Sequence, residues 1–138
     1  MKYYKVLVEG KSCHGGSMEW SLPKEGNPGD WHEVSGALQI CKNGLHVTSD
    51  PTNWWKDNAT CFEVEIEGDT VSEEFDLDDK VAVKKCRLIK ELNEQELAEL
   101  RIFKSGTHVA KESKRYVAYD SATVRAYDSA TVRAYGSA

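Results

Sequence analysis

The C-terminal part of the chain contains an eight-residue sequence that repeats verbatim. "YDSATVRA" occurs at residues 119–126 and again at 127–134, and "YGSA" follows. Because eight is even, a β-strand built on this repeat presents the same repeat positions on the same face in every copy. Asp120, Asp128 and Gly136 share one repeat position, and glycine in place of aspartate favours a turn there. The repeat therefore predicts a β-structured tail with regularly spaced turns.

The two faces of such a strand differ in polarity. One face carries small apolar side chains, namely Ala122, Val124, Ala126, Ala130, Val132 and Ala134. A β-solenoid uses repeats of this kind, but about three copies are normally needed before stacking buries a continuous core. Roughly three octads give little more than one coil, so the apolar face and the strand edges need partners. We predict that residues 111–138 form a short β-solenoid-like oligomerisation tail; packing against the chain's own domain and a disordered tail are the alternatives.

Residues 1–110 are predicted to form one globular domain, with strands recognisable by alternation. "YYKVLV" near the start alternates like a strand, and "CFEVEIEG" places Phe62 and Val64 inward and Cys61 outward. "KVAVKKCRLI" is a further strand whose alternation slips near Lys84 and Lys85, which indicates a bulge. These patterns favour a mainly antiparallel sheet.

Two helix starts and one tight turn complete the predicted fold. Asn93 with Glu96 makes a capping box at the start of "NEQELAELRIF", a helix expected to stop before Gly106. Asp50 before Pro51 marks the start of a short helix that ends near residue 58. The Asn-Gly pair at residues 43–44 predicts a turn between two strands. The fold class is therefore α+β, a mainly antiparallel sheet with one or two short helices.

The charge of the chain limits its partners and location. The formal net charge is -5, but residues 1–110 carry -7 and residues 111–138 carry +2. An acidic body argues against nucleic-acid binding, which depends on neutralising phosphates. The carboxylates crowded into residues 67–79 lack calcium-loop spacing and are read as a solvated connection. No apolar run suggests a signal peptide or a membrane span, so we expect a cytoplasmic protein with reduced cysteines.

Bulky aromatic residues concentrate in the first half of the chain. All four tryptophans fall between residues 20 and 55, and Trp54 and Trp55 are adjacent, so a helix would point them about 100° apart. One of the two is then left to line a pocket or an interface. We predict a concave site for a planar ligand or a peptide, with core packing as the alternative. The predicted ligand-binding residues are Trp20, Trp31, His32, His46, Trp54 and Trp55.

Metal binding and cysteine chemistry are weaker interpretations. The candidate zinc ligands are Cys13, His14, His32, Cys41 and His46, but no pair has the short spacing of a zinc knuckle. Cys13 as a nucleophile would need a nearby base and a lowered pKa, neither of which the sequence indicates. We therefore predict neither a metal nor a cofactor.

The order of motifs resembles a known group of proteins. The segments "KVLVEGKSCHGGSMEWSLP", "GDWHEV", "CKNGLHVTSDPTNWW" and "FEVEIEGD", with a final helix before the octads, are similar to small uncharacterised proteins encoded by phages and prophages. The resemblance covers essentially the whole chain. It implies a phage accessory protein that acts on host machinery or host defence.

The expected function is therefore a noncatalytic binding protein of phage type. It would multimerise through its tail and bind or sequester a host protein or a small molecule such as a nucleotide signal. One alternative is an NAD-using enzyme, because "GLHVTSDP" followed by a strand with Glu63 and Glu65 resembles ADP-ribosyltransferases. A structural, virion-associated role is the other alternative.

Overall fold

A computed structural model of the chain describes residues 2–12, 19–36, 45–72 and 80–136. The predicted Asn-Gly turn, three of the candidate metal ligands (Cys13, His14 and Cys41) and most of the acidic connection lie outside these residues. None of the helices in the described ranges is long and apolar enough to cross a membrane.

The described residues form eleven strands, one 3-10 turn and one α-helix. The elements of the body are β1 (Tyr3–Val8), β2 (Lys11–Ser12), β3 (His32–Glu33), β4 (Leu45–Thr48), a 3-10 helix (Pro51–Asn53), β5 (Ala59–Ser72), β6 (Lys80–Glu91) and α1 (Glu94–Glu99). They are followed by β7 (Ile102–Phe103), β8 (Thr107–Ala110), β9 (Arg115–Ala118), β10 (Thr123–Ala126) and β11 (Thr131–Ala134). Within these ranges the body is mostly antiparallel β with a single short α-helix, in broad agreement with the predicted α+β class.

The sheet of the body closes on itself. Strand β1 pairs with β5 on one edge and meets β4 through Tyr4 and Thr48, while β6 pairs with both β5 and β4. Closure requires the 14-residue β5 to bend, and its register with β6 shifts between Glu67 and Thr70. The irregularity predicted near Lys84 is therefore confirmed in position, but the extra residue lies on β5, where residues 68 and 69 oppose Lys84 alone.

Two apolar clusters lie on opposite faces of this sheet. The cluster enclosed by the closed sheet contains Leu7, Trp20, Leu45, Val47, Phe62, Val64, Val83, Cys86 and Leu88. The second cluster contains Tyr4, Val6, Trp55, Cys61, Leu92, Leu97, Ile102 and Val117. The predicted outward orientation of Cys61 is wrong, since its side chain is 1% exposed. Both faces of the first half of β5 are covered, so alternation there does not separate inside from outside.

The helix α1 begins as predicted but ends early. Asn93 accepts a hydrogen bond from the Glu96 amide, and the Glu96 carboxylate accepts one from the Asn93 amide, so the capping box is confirmed. The helix ends at Glu99, and Arg101 takes a positive φ of 66°. The prediction that it continues to Phe103 is wrong, because residues 102–103 form β7 beside β9 and bury Ile102.

The other predicted helix is a single 3-10 turn. Asp50 caps it through its carboxylate, which accepts hydrogen bonds from the amide and the hydroxyl of Thr52. The start at Asp50 and Pro51 is therefore confirmed, whereas the predicted extension to residue 58 is wrong. Trp54 follows directly, and its amide donates to the Pro51 carbonyl at 3.0 Å.

The repeat segment, residues 107–136, folds into a coil of short parallel strands. The strands β8 to β11 start at residues 107, 115, 123 and 131, one octad apart. Strand β8 pairs with β10 and β9 with β11, so each strand pairs with the one two octads away. Asp120, Asp128 and Gly136 have φ values of 51°, 57° and 63°, which confirms the turn predicted at their shared repeat position.

The repeat coil packs against its own domain. The Tyr135 hydroxyl donates to the Trp55 carbonyl at 2.9 Å, and the Tyr119 ring lies 5.0 Å from the Trp55 ring. Of the six residues predicted to oligomerise, Ala122 is buried and three are half-buried: Val124, Ala130 and Val132. Ala126 and Ala134 are exposed. The contact with the body is one of the alternatives left open by the sequence, and oligomerisation stays a prediction.

Candidate functional site

Trp20 and His32 form one packed unit of the closed sheet. Trp20 belongs to the enclosed cluster, and its ring lies 4.9 Å from the ring of His32. The Ser21 amide donates to the His32 Nε2 atom at 3.1 Å, which orients the imidazole. Lys5 places its ammonium 5.4 Å from the Trp20 ring centre. Trp20 therefore packs in the core of the closed sheet, and His32 packs beside it.

Trp31 lies beneath two cationic side chains. The Lys85 ammonium and the Arg87 guanidinium are 5.1 Å and 4.5 Å from its ring centre, within cation–π range. Arg87 also pairs with Glu65 at 2.6 Å, and Lys85 lies 3.7 Å from Glu67. Glu63 also lies 3.4 Å from the Lys2 ammonium, so both glutamates of the NAD-using alternative are engaged in ion pairs on the sheet.

His46 is half-buried on β4 in a positive environment. Burial lowers the pKa of its imidazole, and the charges of Lys5 and then Lys80 lower it further. The Lys5 ammonium also donates a hydrogen bond to the backbone carbonyl of His46 at 2.8 Å. This bond holds the Lys5 charge against strand β4, which carries the imidazole. The neutral imidazole is therefore favoured in the folded protein.

The lowered pKa of His46 predicts that the fold loses stability on mild acidification. A histidine with a folded pKa below its unfolded value near 6.5 binds more protons when unfolded, so the free energy of unfolding falls as pH drops through about 6.5. His46→Gln cannot titrate and should show a shallower decrease between pH 7.5 and 5.5. Urea denaturation of both proteins at each pH measures the difference. Parallel pH profiles would refute the assignment to His46.

Trp54 and Trp55 lie at the second cluster, away from Trp20. Trp55 is buried in that cluster, while the half-buried Trp54 packs against it, 5.4 Å below the Lys80 ammonium. One tryptophan of the pair is buried and the other partly exposed, as predicted. The six predicted ligand-binding residues are thus divided between two regions, and their role in binding stays a prediction.

A cleft of about 660 Å³ opens between the closed sheet and the repeat coil. Five separate stretches of chain meet there: the segment before and at the start of β5, the end of β6 with α1, Lys104, and two turns of the repeat coil. The described lining residues are Trp55, Asp57, Asn58, Ala59, Thr60, Cys61, Glu91, Leu92, Asn93, Glu94, Leu97, Lys104, Tyr119, Asp120, Tyr135 and Gly136. Of the six predicted ligand-binding residues, only Trp55 is among them.

The ionisable groups of this cleft give it a net negative charge. Its described lining holds four carboxylates and one ammonium group, that of Lys104. Between described residues, no ion pair involves Asp57, Glu91 or Glu94, so their charge is not cancelled in that way. Burial raises the pKa of Tyr119 to about 12, and the nearby carboxylates add to the effect. A positive group is favoured here and a negative one opposed.

Two tyrosines form the aromatic wall of the cleft with Trp55. Tyr119 and Tyr135 are sixteen residues apart, and successive turns of the repeat coil place them on the same side. Tyr127, eight residues from each, is 51% exposed and does not line the cleft. Sequence reasoning missed both wall tyrosines. The sixteen-residue spacing of paired strands is the signal that would have selected them.

The two cysteines within the described residues are buried free thiols. Burial raises the pKa of Cys86 to about 12 and raises that of Cys61 as well. Both thiols therefore stay protonated at neutral pH, which makes them poor nucleophiles. In the part of the chain that the structure describes, no three His, Cys, Asp or Glu residues are grouped so that they could hold a metal ion.

The fold and the cleft define an α+β protein in which a closed antiparallel sheet carries a coil of octads. Residues 1–100 match the family described as "Domain of unknown function (DUF7666)", and the chain belongs to this family. No curated protein and no solved structure matches the chain. The family match stops before β7, so the cleft is built partly by the family domain and partly by the repeat coil that follows it.

Proposed function

We propose that this protein is a noncatalytic binding protein whose cleft holds a ligand that carries a positive charge beside an apolar group. The observation that carries the proposal is the juxtaposition of carboxylates with the aromatic wall in one cleft. Carboxylates attract the cation, while tyrosine and tryptophan rings contribute apolar surface and cation–π attraction.

The charge of the cleft narrows the class of ligand. A phosphate-bearing compound such as a nucleotide would meet four carboxylates and a single lysine. Like charges at close range repel, which opposes a phosphate group at this surface. An organic ammonium compound or a basic side chain of a partner protein suits the same surface better. The proposal therefore replaces the nucleotide signal expected from the sequence with a ligand that carries a positive charge.

The chemistry of the lining supports binding rather than catalysis. The Tyr119 phenol and the Cys61 thiol have raised pKa values, so neither is a ready base or nucleophile at neutral pH. Sequestration requires only contacts. The resemblance to phage-encoded proteins supports an accessory role in which a host protein or a host small molecule is sequestered, and multimerisation through the repeat coil would raise avidity.

Two small probes of matched shape and opposite charge test the proposal. 2-Phenylethylammonium should shift the amide resonances of cleft residues such as Asn58, Leu92 and Gly136 in a titration followed by NMR. Phenylacetate at the same concentrations should leave them unchanged, because it carries the same phenyl ring with a negative carboxylate in place of the positive ammonium group. Shifts caused equally by both probes, or by neither, would reject a cation-selective cleft.

Charge-neutralising variants locate the binding to the cleft. Asp57→Asn combined with Glu91→Gln should weaken binding of 2-phenylethylammonium by about 2- to 30-fold, since both carboxylates are exposed and solvent-exposed ion pairs contribute about 0.2–1 kcal/mol each. Glu25→Gln removes one negative charge from an exposed turn outside the cleft and should have little effect. Equal weakening by both changes would indicate a general charge effect and not a site.

A further inference from the structure

The cleft between the closed sheet and the repeat coil separates its apolar lining from its charged lining. The floor of the cleft consists of side chains that are buried or half-buried: Trp55, Cys61, Leu92, Leu97, Tyr119 and Tyr135. The charged groups belong to exposed residues, which form the rim: Asp57, Glu91, Glu94, Lys104 and Asp120. A cation on the floor therefore contacts rings, while the carboxylates attract it from the rim.

Three aromatic side chains converge on this floor. The rings of Trp55 and Tyr119 are 5.0 Å apart and inclined at 44°, so they meet at an angle and do not stack flat. The Tyr135 hydroxyl donates to the Trp55 carbonyl at 2.9 Å, which fixes the second tyrosine beside the same tryptophan. Trp55 is 3% exposed and forms the back of the corner, whereas both tyrosines are half-buried and present ring surface to a ligand.

The chemistry of the floor selects the kind of cation that fits it. A primary ammonium group has three N–H donors and is strongly hydrated, so it needs acceptors when it leaves water. The described side chains of the floor are three aromatic rings, two leucines and a thiol, and the Tyr135 hydroxyl is already bonded to Trp55. Donors left without acceptors there oppose binding. A quaternary ammonium group has no N–H donor, and aromatic rings are the surfaces that recognise it.

We propose that the cleft binds a small quaternary ammonium compound, whose methylated head group contacts the rings of Tyr119 and Tyr135 in front of Trp55. The cleft volume of about 660 Å³ lies within the range of roughly 300–1,000 Å³ that is usual for small-molecule sites. The inference rests on the proposed function and narrows its ligand class. The positive charge and the apolar surface of the ligand are here the same group.

Three small alcohols test the methyl groups and the charge separately. Choline carries a trimethylammonium group, ethanolamine carries a primary ammonium group, and 3,3-dimethylbutan-1-ol has the shape of choline without its charge. Choline should bind the wild-type chain at least about 5-fold more tightly than either of the other two, as measured by NMR titration of the amide resonances of the cleft. Equally tight binding of ethanolamine, or of the neutral alcohol, would overturn the quaternary ammonium class.

Variants of the repeat tyrosines test the contact with the rings. Tyr119→Leu removes one ring and should weaken choline binding by about 2- to 6-fold, whereas Tyr119→Phe keeps the ring and should leave the affinity unchanged. Tyr127→Leu is the matched control, because Tyr127 occupies the same repeat position but is 51% exposed and does not line the cleft. Equal weakening by Tyr119→Leu and Tyr127→Leu, or by Tyr119→Leu and Tyr119→Phe, would overturn the ring contact.

Comparison with 2-phenylethylammonium separates failure of this inference from failure of the proposed function. If 2-phenylethylammonium shifts the cleft resonances and choline does not, the cleft is cation-selective but does not hold a small quaternary ammonium compound. In that case, binding of a short peptide that contains trimethyllysine would assign the methylated group to a protein partner. If none of these cations shifts the resonances, the proposed function fails as well.

Discussion

Replacing Ile102 by alanine is expected to lower the free energy of unfolding by about 2–5 kcal/mol. Ile102 is completely buried in the second apolar cluster, where β7 lies beside β9 and joins the body to the repeat coil. Truncation removes buried methyl groups and leaves a cavity that β-strands on both sides are too constrained to fill. The effect should be among the largest of any single truncation because two parts of the fold share this residue.

A matched truncation on the surface separates this cavity effect from a general one. Val109 also lies in the repeat coil but is 49% exposed, so Val109→Ala should change the free energy of unfolding by no more than about 0.5 kcal/mol. Urea denaturation followed by tryptophan fluorescence measures the free energy of unfolding of both variants. If Ile102→Ala and Val109→Ala cost the same, the repeat coil is not docked through Ile102 as described.

Replacing Asp50 by alanine is expected to cost about 1–3 kcal/mol of unfolding free energy. One carboxylate oxygen caps the 3-10 turn at the Thr52 amide, and the other accepts from the Arg101 guanidinium at 2.9 Å. Arg101 in turn donates to the Arg115 carbonyl in β9 at 3.0 Å. Asp50 therefore stabilises the turn and, through Arg101, the attachment of the repeat coil.

A double-mutant cycle separates the contribution of the Asp50–Arg101 ion pair from that of the cap that Asp50 makes on the 3-10 turn. Asp50 and Arg101 are each about three-quarters buried, so their coupling free energy should reach about 0.5–3 kcal/mol. The exposed pair Glu112–Lys114, 3.0 Å apart, provides the control and should couple by less than about 1 kcal/mol. Additive effects of Asp50→Ala and Arg101→Ala would show that the ion pair does not link the two parts.

The features that sequence reasoning predicted correctly depend on neighbouring residues. The capping box at Asn93 and the cap at Asp50 each involve groups two or three residues apart. The turns at Asp120 and Asp128 follow from the tolerance of aspartate for positive φ. The strands β1, β5 and β6 are predicted from alternating apolar and polar residues, the pattern of a strand with one face on the core. Such local interactions are encoded in short windows, and the pattern reveals them.

The errors arise where distant segments compete for a residue. Alternation placed Cys61 outside, but the repeat coil, the Trp55 segment and α1 cover the second face of β5. Helical periodicity carried α1 to Phe103, but pairing with β9 draws residues 102–103 into a strand. In both cases the deciding partner is far away in sequence. The burial gained in the tertiary structure outweighs the local preference.

The amino-acid sequence by itself determined the β-rich α+β class, the starts of the helices and the turn positions of the octads, because these depend on contacts within a few residues. Only the tertiary structure decided that the tryptophans separate into two regions and that Tyr119 and Tyr135 line one cleft. It also decided that each strand of the repeat coil pairs with the strand two octads away. These properties depend on closure of the sheet and on pairing between octads sixteen residues apart, which long-range packing selects.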